Sequence, residues 1–251
     1  MNRILFEHDE IGADGRVAFG GVRAEHVLSI LHGTRGQVLK TGEVEGKIGT
    51  AVIEEIDERG PTVTVRVDHG QDSLQPWIDV ILAPPRPRVL KRLLPQMAAM
   101  GVGRIVLVGA EKVEKAFWGA QLLKPEISRP LLVDGLMQAG TSVLPEIVPV
   151  RQFRRWMASA DGFEAMFGSQ PMRFVAHPYA QDGIDACQSA QPPAARPVLA
   201  IGPEGGWTPG EVSMLSDSGF MPVSLGRRIL RTDTATIAVL SLLHHLCGVQ
   251  D

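Results

Sequence analysis

Trp77-Ile78-Asp79-Val80-Ile81-Leu82-Ala83, then Pro84-Pro85-Arg86-Pro87, then an amphipathic stretch over 89–100, then Ile105-Val106-Leu107-Val108: this succession decides the fold. The apolar runs are short and nearly unbroken, as in strands buried on both faces. The segment between them is long enough for a crossover helix, which together predicts parallel strands of an α/β domain. The prolines follow a strand-like run and read as a strand-to-helix loop. The rhythm recurs downstream, with apolar runs over 147–150, 174–176, 198–201 and 222–225 and a second amphipathic stretch over 122–137.

Upstream the texture differs. Between Gln37 and Asp68, β-branched runs (37–40, 50–56, 62–67) alternate with the turn signals Thr41-Gly42, Glu45-Gly46 and Glu58-Arg59-Gly60-Pro61. Closely spaced strands with Gly and Pro punctuation predict a small β-barrel or sandwich. Val27, Leu28, Ile30 and Leu31 predict one short helix over 24–31, ahead of the strands. The expected division is therefore a β module over 1–73 and an α/β domain over 74–251, with no solenoid-length repeat.

The chain has 251 residues, 44% hydrophobic and 21% charged, which is ample for packed cores and excludes disorder on composition. No apolar run approaches the ~20 residues that span a bilayer, and Asn2-Arg3-Ile4 leads into Glu7-His8-Asp9-Glu10 where an export signal would be apolar. Cys187 and Cys247 are far apart and form no C-x-x-C, so neither a disulfide framework nor a cysteine metal site is expected, and a cytoplasmic setting fits. A net charge of -3 gives no global attraction to nucleic acid. Arg86, Arg88, Lys91 and Arg92 form a local basic stretch, either a solvated helix face or an RNA contact. With aromatic residues at 5%, base stacking on an exposed aromatic sheet is disfavoured.

In open α/β sheets ligands gather beyond the carboxyl ends of the strands, and two loops there stand out. Ile201-Gly202-Pro203-Glu204-Gly205-Gly206-Trp207 follows Val198-Leu199-Ala200. Its glycines let backbone approach a ligand closely, or simply make a tight turn. Thr208-Pro209-Gly210-Glu211 has capping-box spacing with Pro at the first helical position, predicting a helix start there. Trp207 reads more readily as core than as a stacking platform. The second loop, Ser224-Leu225-Gly226-Arg227-Arg228-Ile229-Leu230-Arg231-Thr232-Asp233-Thr234-Ala235, precedes an apolar helix expected over 237–246. Its apolar pair suits a flat heterocycle, and Arg231 and Asp233 place opposite charges nearby; alternatively Asp233 or Thr232 caps the helix. No phosphate-loop Lys follows the glycines, Gly101-Val102-Gly103 lacks a third glycine, His244-His245 have no metal-ligand spacing, and no G-x-S-x-G is present. Nucleotide hydrolysis, NAD chemistry, metal catalysis and an α/β-hydrolase are thereby disfavoured.

Taken together the two loops resemble the signature of RsmE-type 16S ribosomal RNA uridine-N3 methyltransferases, of the SPOUT class. The likeness is strongest over 198–246, carried by Ile201 to Trp207, Glu211, Ser224-Leu225-Gly226, Arg228 to Thr232 and Thr234-Ala235. The resemblance implies a knotted parallel-sheet domain with a C-terminal trefoil knot, a smaller PUA-like N-terminal β-barrel that binds RNA, a homodimer, and S-adenosyl-L-methionine as methyl donor. It implies no metal, and ribosomal RNA or a small-subunit particle as substrate. By the same resemblance Ala176, His177, Pro178, Ile201, Gly202, Gly205, Gly206, Leu225, Gly226, Ile229, Leu230, Arg231, Thr232, Thr234 and Ala235 surround the donor. Arg231, Asp233 and Glu204 are the candidate catalytic groups: Arg231 to stabilise the anion developing on uracil, Asp233 or Glu204 to orient Arg231 or accept the N3 proton. The chain departs from the family in having Asp233 where glutamate is usual, and Gln96 and Ala99 where a Lys and a Glu are usual. Two other roles fit the same residues: a SPOUT paralogue methylating another RNA site, and a non-catalytic RNA-binding or assembly protein. Donor binding separates the last from the enzymes.

Overall fold

The computed structural model describes residues 2–57, 60–119, 121–168, 171–178, 180 and 195–249; Cys187 and the Glu58-Arg59 part of an expected turn lie outside them. The chain forms two compact units, one of Met1–Gln75 with Leu132–Leu144, the other of Pro76–Leu131 with Pro145–Asp251.

The first unit contains β1 (Ile4–Phe6), β2 (Arg16–Phe19), α1 (Gly21–Glu25), β3 (Val38–Glu43), β4 (Ile48–Asp57) and β5 (Thr62–Gln71). They form a five-stranded sheet in the order β1-β3-β4-β5-β2, antiparallel except for β1 beside β3. Alternation sets its inner face: Val17 and Phe19, Ala51 and Ile53, and Val63 and Val65 are buried around Phe6. Arg23 lies against the Phe6 and Phe19 rings and pairs with Glu10, holding the Glu10 carboxyl below its ordinary range chiefly through that hydrogen bond. The helix expected over 24–31 starts earlier, as α1, and continues as a π-helical turn over His26–Ile30. Strands β1 and β2, too short to show a run in sequence, complete the sheet. The late segment Leu132–Leu144 belongs to this unit: Met137 O accepts from the Asn2 and Arg3 amides at 3.0 Å, and the Ser142 amide donates to Ser73 Oγ at 2.9 Å.

The second unit holds β6 (Ile78–Leu82), α2 (Pro87–Ala99), β7 (Val102–Val108), the start of α3 (Pro125–Ala139), β8 (Glu146–Val150), α4 (Phe153–Ala158), α5 (Phe163–Phe167), β9 (Arg173–Ala176), β10 (Val198–Ile201), α6 (Pro209–Asp217), β11 (Met221–Val223) and α7 (Thr232–Leu246). Its six strands pair only in parallel, in the order β11-β9-β10-β6-β7-β8. Each coincides with an apolar run read from sequence. Strands β6 and β10 are buried throughout because helices cover both faces. Helix α2 begins with Pro87 in its first turn and buries Leu90, Leu93, Leu94, Met97 and Ala98. Helix α7 begins five residues before the apolar stretch that marks it in sequence, with Arg231 as its N-cap, because polar Thr232 to Thr236 form its first turns.

Candidate active site

Parallel pairing sends the chain out of every strand of the second sheet at the same end, so the loops after β6, β7, β9, β10 and β11 converge. They enclose a cavity of about 1230 Å³. Its floor is set by the loop after β10. Gly206 takes φ +69°, in the left-handed region open to glycine, and turns the chain toward α6. A Cβ on Gly202 would stand 3.1 Å from the Trp207 ring, so the glycine lets backbone lie flat on the indole. Trp207 is 7% exposed and stacks on Phe153 at 5.3 Å; it packs in the core and also presents an edge to the cavity.

The capping box read from Thr208 and Glu211 forms. Glu211 Oε2 accepts from the Thr208 amide at 2.8 Å and Thr208 Oγ1 accepts from the Glu211 amide at 3.4 Å. Fully buried, Glu211 also accepts the Glu111 amide at 2.8 Å through Oε1, fixing the loop after β7 to the start of α6. From that same loop Lys112 Nζ donates to Gly205 O at 2.8 Å. On the far side, Ser224 Oγ donates to Pro178 O at 3.4 Å and accepts from the Gly226 amide at 3.2 Å, linking the loops after β9 and β11.

Every donor-site residue read from sequence lines the cavity except Thr234, which is exposed on α7 and donates its amide to Asp233 Oδ1 at 3.0 Å. Arg231, Asp233 and Glu204 line it too. Of the basic stretch, Arg86 and Arg92 face the cavity, whereas Arg88 and Lys91 are exposed outside it. Asp233 Oδ2 accepts from Arg92 Nη2 at 3.1 Å, and Glu204 Oε2 lies 3.2 Å from Arg86 Nε. Among the described residues Arg231 makes no ion pair, so the carboxylates expected to orient it are engaged by α2 instead. Sequence reasoning missed Lys112, although its place just after β7 meets the strand-end rule. Five cationic side chains (Arg86, Arg92, Lys112, Arg228 and Arg231) line the cavity against the two carboxylates, in a chain whose net charge is -3. Such local excess favours a polyanionic substrate.

Residues 73–244 match the RNA methyltransferase domain family. The chain belongs to that family. This methyltransferase is 29% identical over 97% of its length, and 90% of the relative's, to the ribosomal RNA small subunit methyltransferase E of Treponema pallidum. It is 24% identical over 96% of its length, and 90% of the relative's, to the enzyme of that name from Mycobacterium tuberculosis. Among solved structures, a methyltransferase from Legionella pneumophila in complex with bound SAM superposes with TM-score 0.73 at 24% identity, over 97% of each chain. The ribosomal RNA small subunit methyltransferase E from Neisseria gonorrhoeae, bound to S-adenosyl methionine, gives 0.72 at 19% identity over 98% of each. The methyltransferase thus shares with these structures a parallel-sheet domain together with a smaller β unit, the architecture the resemblance implied. Among its described residues no helix is long and apolar enough to cross a membrane.

Proposed function

We propose that the chain is an S-adenosylmethionine-dependent methyltransferase of the small-subunit ribosomal RNA, acting at uracil N3. The observation that carries this reading is the convergence of the loops after β9, β10 and β11 on one cavity of about 1230 Å³. That exceeds the roughly 300–1000 Å³ of a single small-molecule site, leaving room for a donor and a nucleobase together. The residues fit the donor. Gly202, Gly205 and Gly226 bring bare backbone to the cavity wall, and Ala176, Leu225, Ile229 and Leu230 supply apolar surface around it. When bound, the donor supplies an activated methyl group. The chain's own task is to hold the base in line with it and to manage the charge left when N3 loses its proton.

Arg231, lining the cavity without a carboxylate partner among the described residues, is the group proposed to stabilise the negative charge on the uracil oxygens. Asp233 or Glu204 is proposed to accept the N3 proton. The first unit is proposed to grip RNA, aided by Arg86, Arg88, Lys91 and Arg92 outside the donor loops. The relatives' kinship further supports a cytoplasmic homodimer and a knotted threading of the C-terminal region. Domain limits of 1–73 and 74–251 are proposed, with the segment Leu132–Leu144 counted in the first compact unit.

Two measurements test the reading. S-adenosylmethionine should bind the purified protein in calorimetry and raise its melting temperature; neither effect at millimolar donor would remove the enzyme reading and favour an RNA-binding role. Arg231→Ala should lower single-turnover methyl transfer by about 10²-fold, a larger loss than that in donor affinity. Mass mapping of small-subunit RNA from cells lacking the gene identifies the base, and a missing methyl elsewhere would assign a different target.

A further inference from the structure

Arg86 and Arg92 approach the cavity from α2, and each is met by a carboxylate from a different element, Glu204 in the loop after β10 and Asp233 in the first turn of α7. Both arginines are about two-thirds exposed, at 68% and 66%, against 41% for Glu204 and 22% for Asp233, so water reaches each pair from the arginine side and screens it. The first turn of α2 contains no acid, and the side chain of its N-cap, Arg86, does not cap the helix. The pairing unites residues distant in sequence and employs the two carboxylates that the catalytic reading needs free. A guanidinium recognises phosphate oxygens through the same fork that it offers a carboxylate, and a polyanion brings several such groups at once.

We propose that Glu204 and Asp233 are stand-in anions for two backbone phosphates of the RNA substrate. Arg86 and Arg92 form the phosphate site; arriving RNA takes over both arginines, and Asp233 and Glu204 are released toward the target base. Entry of substrate and exposure of the candidate bases are then one exchange, so that the carboxylates are unmasked only when RNA is present. This rests on the methyltransferase reading for the meaning of the release, while the exchange itself is a property of the four side chains. Charged groups facing the same space are Lys112, Arg228 and Arg231. Among the described residues none of these pairs with Glu204 or Asp233, so the exchange is confined to α2.

The test is a double-variant cycle on the full chain, with a short oligouridylate as probe, anisotropy as readout and a salt series for each protein. Asp233→Asn, which keeps the shape and removes the competing charge, should tighten RNA binding by about two- to five-fold, the size of an exposed ion pair. Arg92→Ala should weaken binding and reduce the salt slope by roughly 0.7, one phosphate contact on a single strand; Arg92→Lys should restore most of the slope. In the Arg92→Ala background the tightening by Asp233→Asn should vanish, and Glu204→Gln should behave likewise with Arg86→Ala. Equal tightening with and without Arg92 would mean a general charge effect and overturn the exchange. So would no tightening in either. Displacement of the oligouridylate by inorganic phosphate at matched phosphate concentration would assign the arginines to a small anion, against the RNA proposal. Calorimetry with S-adenosylmethionine on the same samples keeps the two readings apart: donor binding with a flat cycle removes the exchange alone, and an intact cycle without donor binding removes the methyl-transfer reading alone.

Discussion

At the amino end of the six-stranded sheet one buried carboxylate meets two partly exposed arginines; at the carboxyl end two partly exposed carboxylates meet two largely exposed arginines. Asp79, on β6, is 3% exposed, with Arg196 at 3.5 Å and Arg104 at 3.9 Å from Oδ2, and among the described residues its Oδ1 has no hydrogen-bond partner. Burial pushes its carboxyl above the ordinary range, against the opposing pull of Arg196 and Arg104. Gly103 is part of that construction, since a Cβ there would fall 1.9 Å from Arg196 Nη1. At the other end the arginines are largely exposed and the surrounding glycines face a cavity. The same pairing chemistry therefore ties strands together where the carboxylate is buried, and leaves charge available to a ligand where both partners reach water.

Glu211 offers the strongest way to break that contrast, because it is a buried carboxylate at the open end. Glu211→Ala should cost about 2–4 kcal/mol in urea unfolding, since the Thr208 and Glu111 amides both lose their acceptor. A loss below about 0.5 kcal/mol would show that the floor of the cavity is not held by this side chain.

A smaller effect is expected at Asp79. A carboxyl whose folded-state value is raised contributes stability that is fully present below its unfolded value and is lost as pH rises through the folded one. Asp79→Asn should therefore flatten the stability profile measured between about pH 4 and 7, while changing stability near neutrality by less than about 2 kcal/mol. An unchanged profile would place the titration elsewhere. The smallest effect should follow loss of an exposed pair: Arg86→Ala is expected to shift unfolding by less than about 0.5 kcal/mol, and a shift above 2 kcal/mol would mean that α2 is clamped structurally and not poised for exchange.

Most of the second unit could be read from residues, because buried parallel strands advertise themselves as unbroken apolar runs and Thr208-Pro209-Gly210-Glu211 announces its helix locally. The convergence of the two signature loops was legible as well, since strand ends in a parallel sheet share one side. What escaped was non-local. Arg92 and Asp233 are 141 residues apart, and nothing near either one names the other. Lys112 is an ordinary lysine in sequence and becomes part of the cavity only through the order β10-β6-β7. Strands β1 and β2, with three and four residues, gain their identity from the partners β3 and β5.

The order β11-β9-β10-β6-β7-β8 has one more consequence. The loops proposed to hold the donor descend from the flank built by β11, β9 and β10, whereas Arg86, Arg92 and Lys112 descend from β6, α2 and β7. Under the proposed reading, the half of the site that carries the methyl group and the half that greets the nucleic acid are inherited on different stretches of chain. Drift on one flank can retarget the enzyme while the other keeps its chemistry.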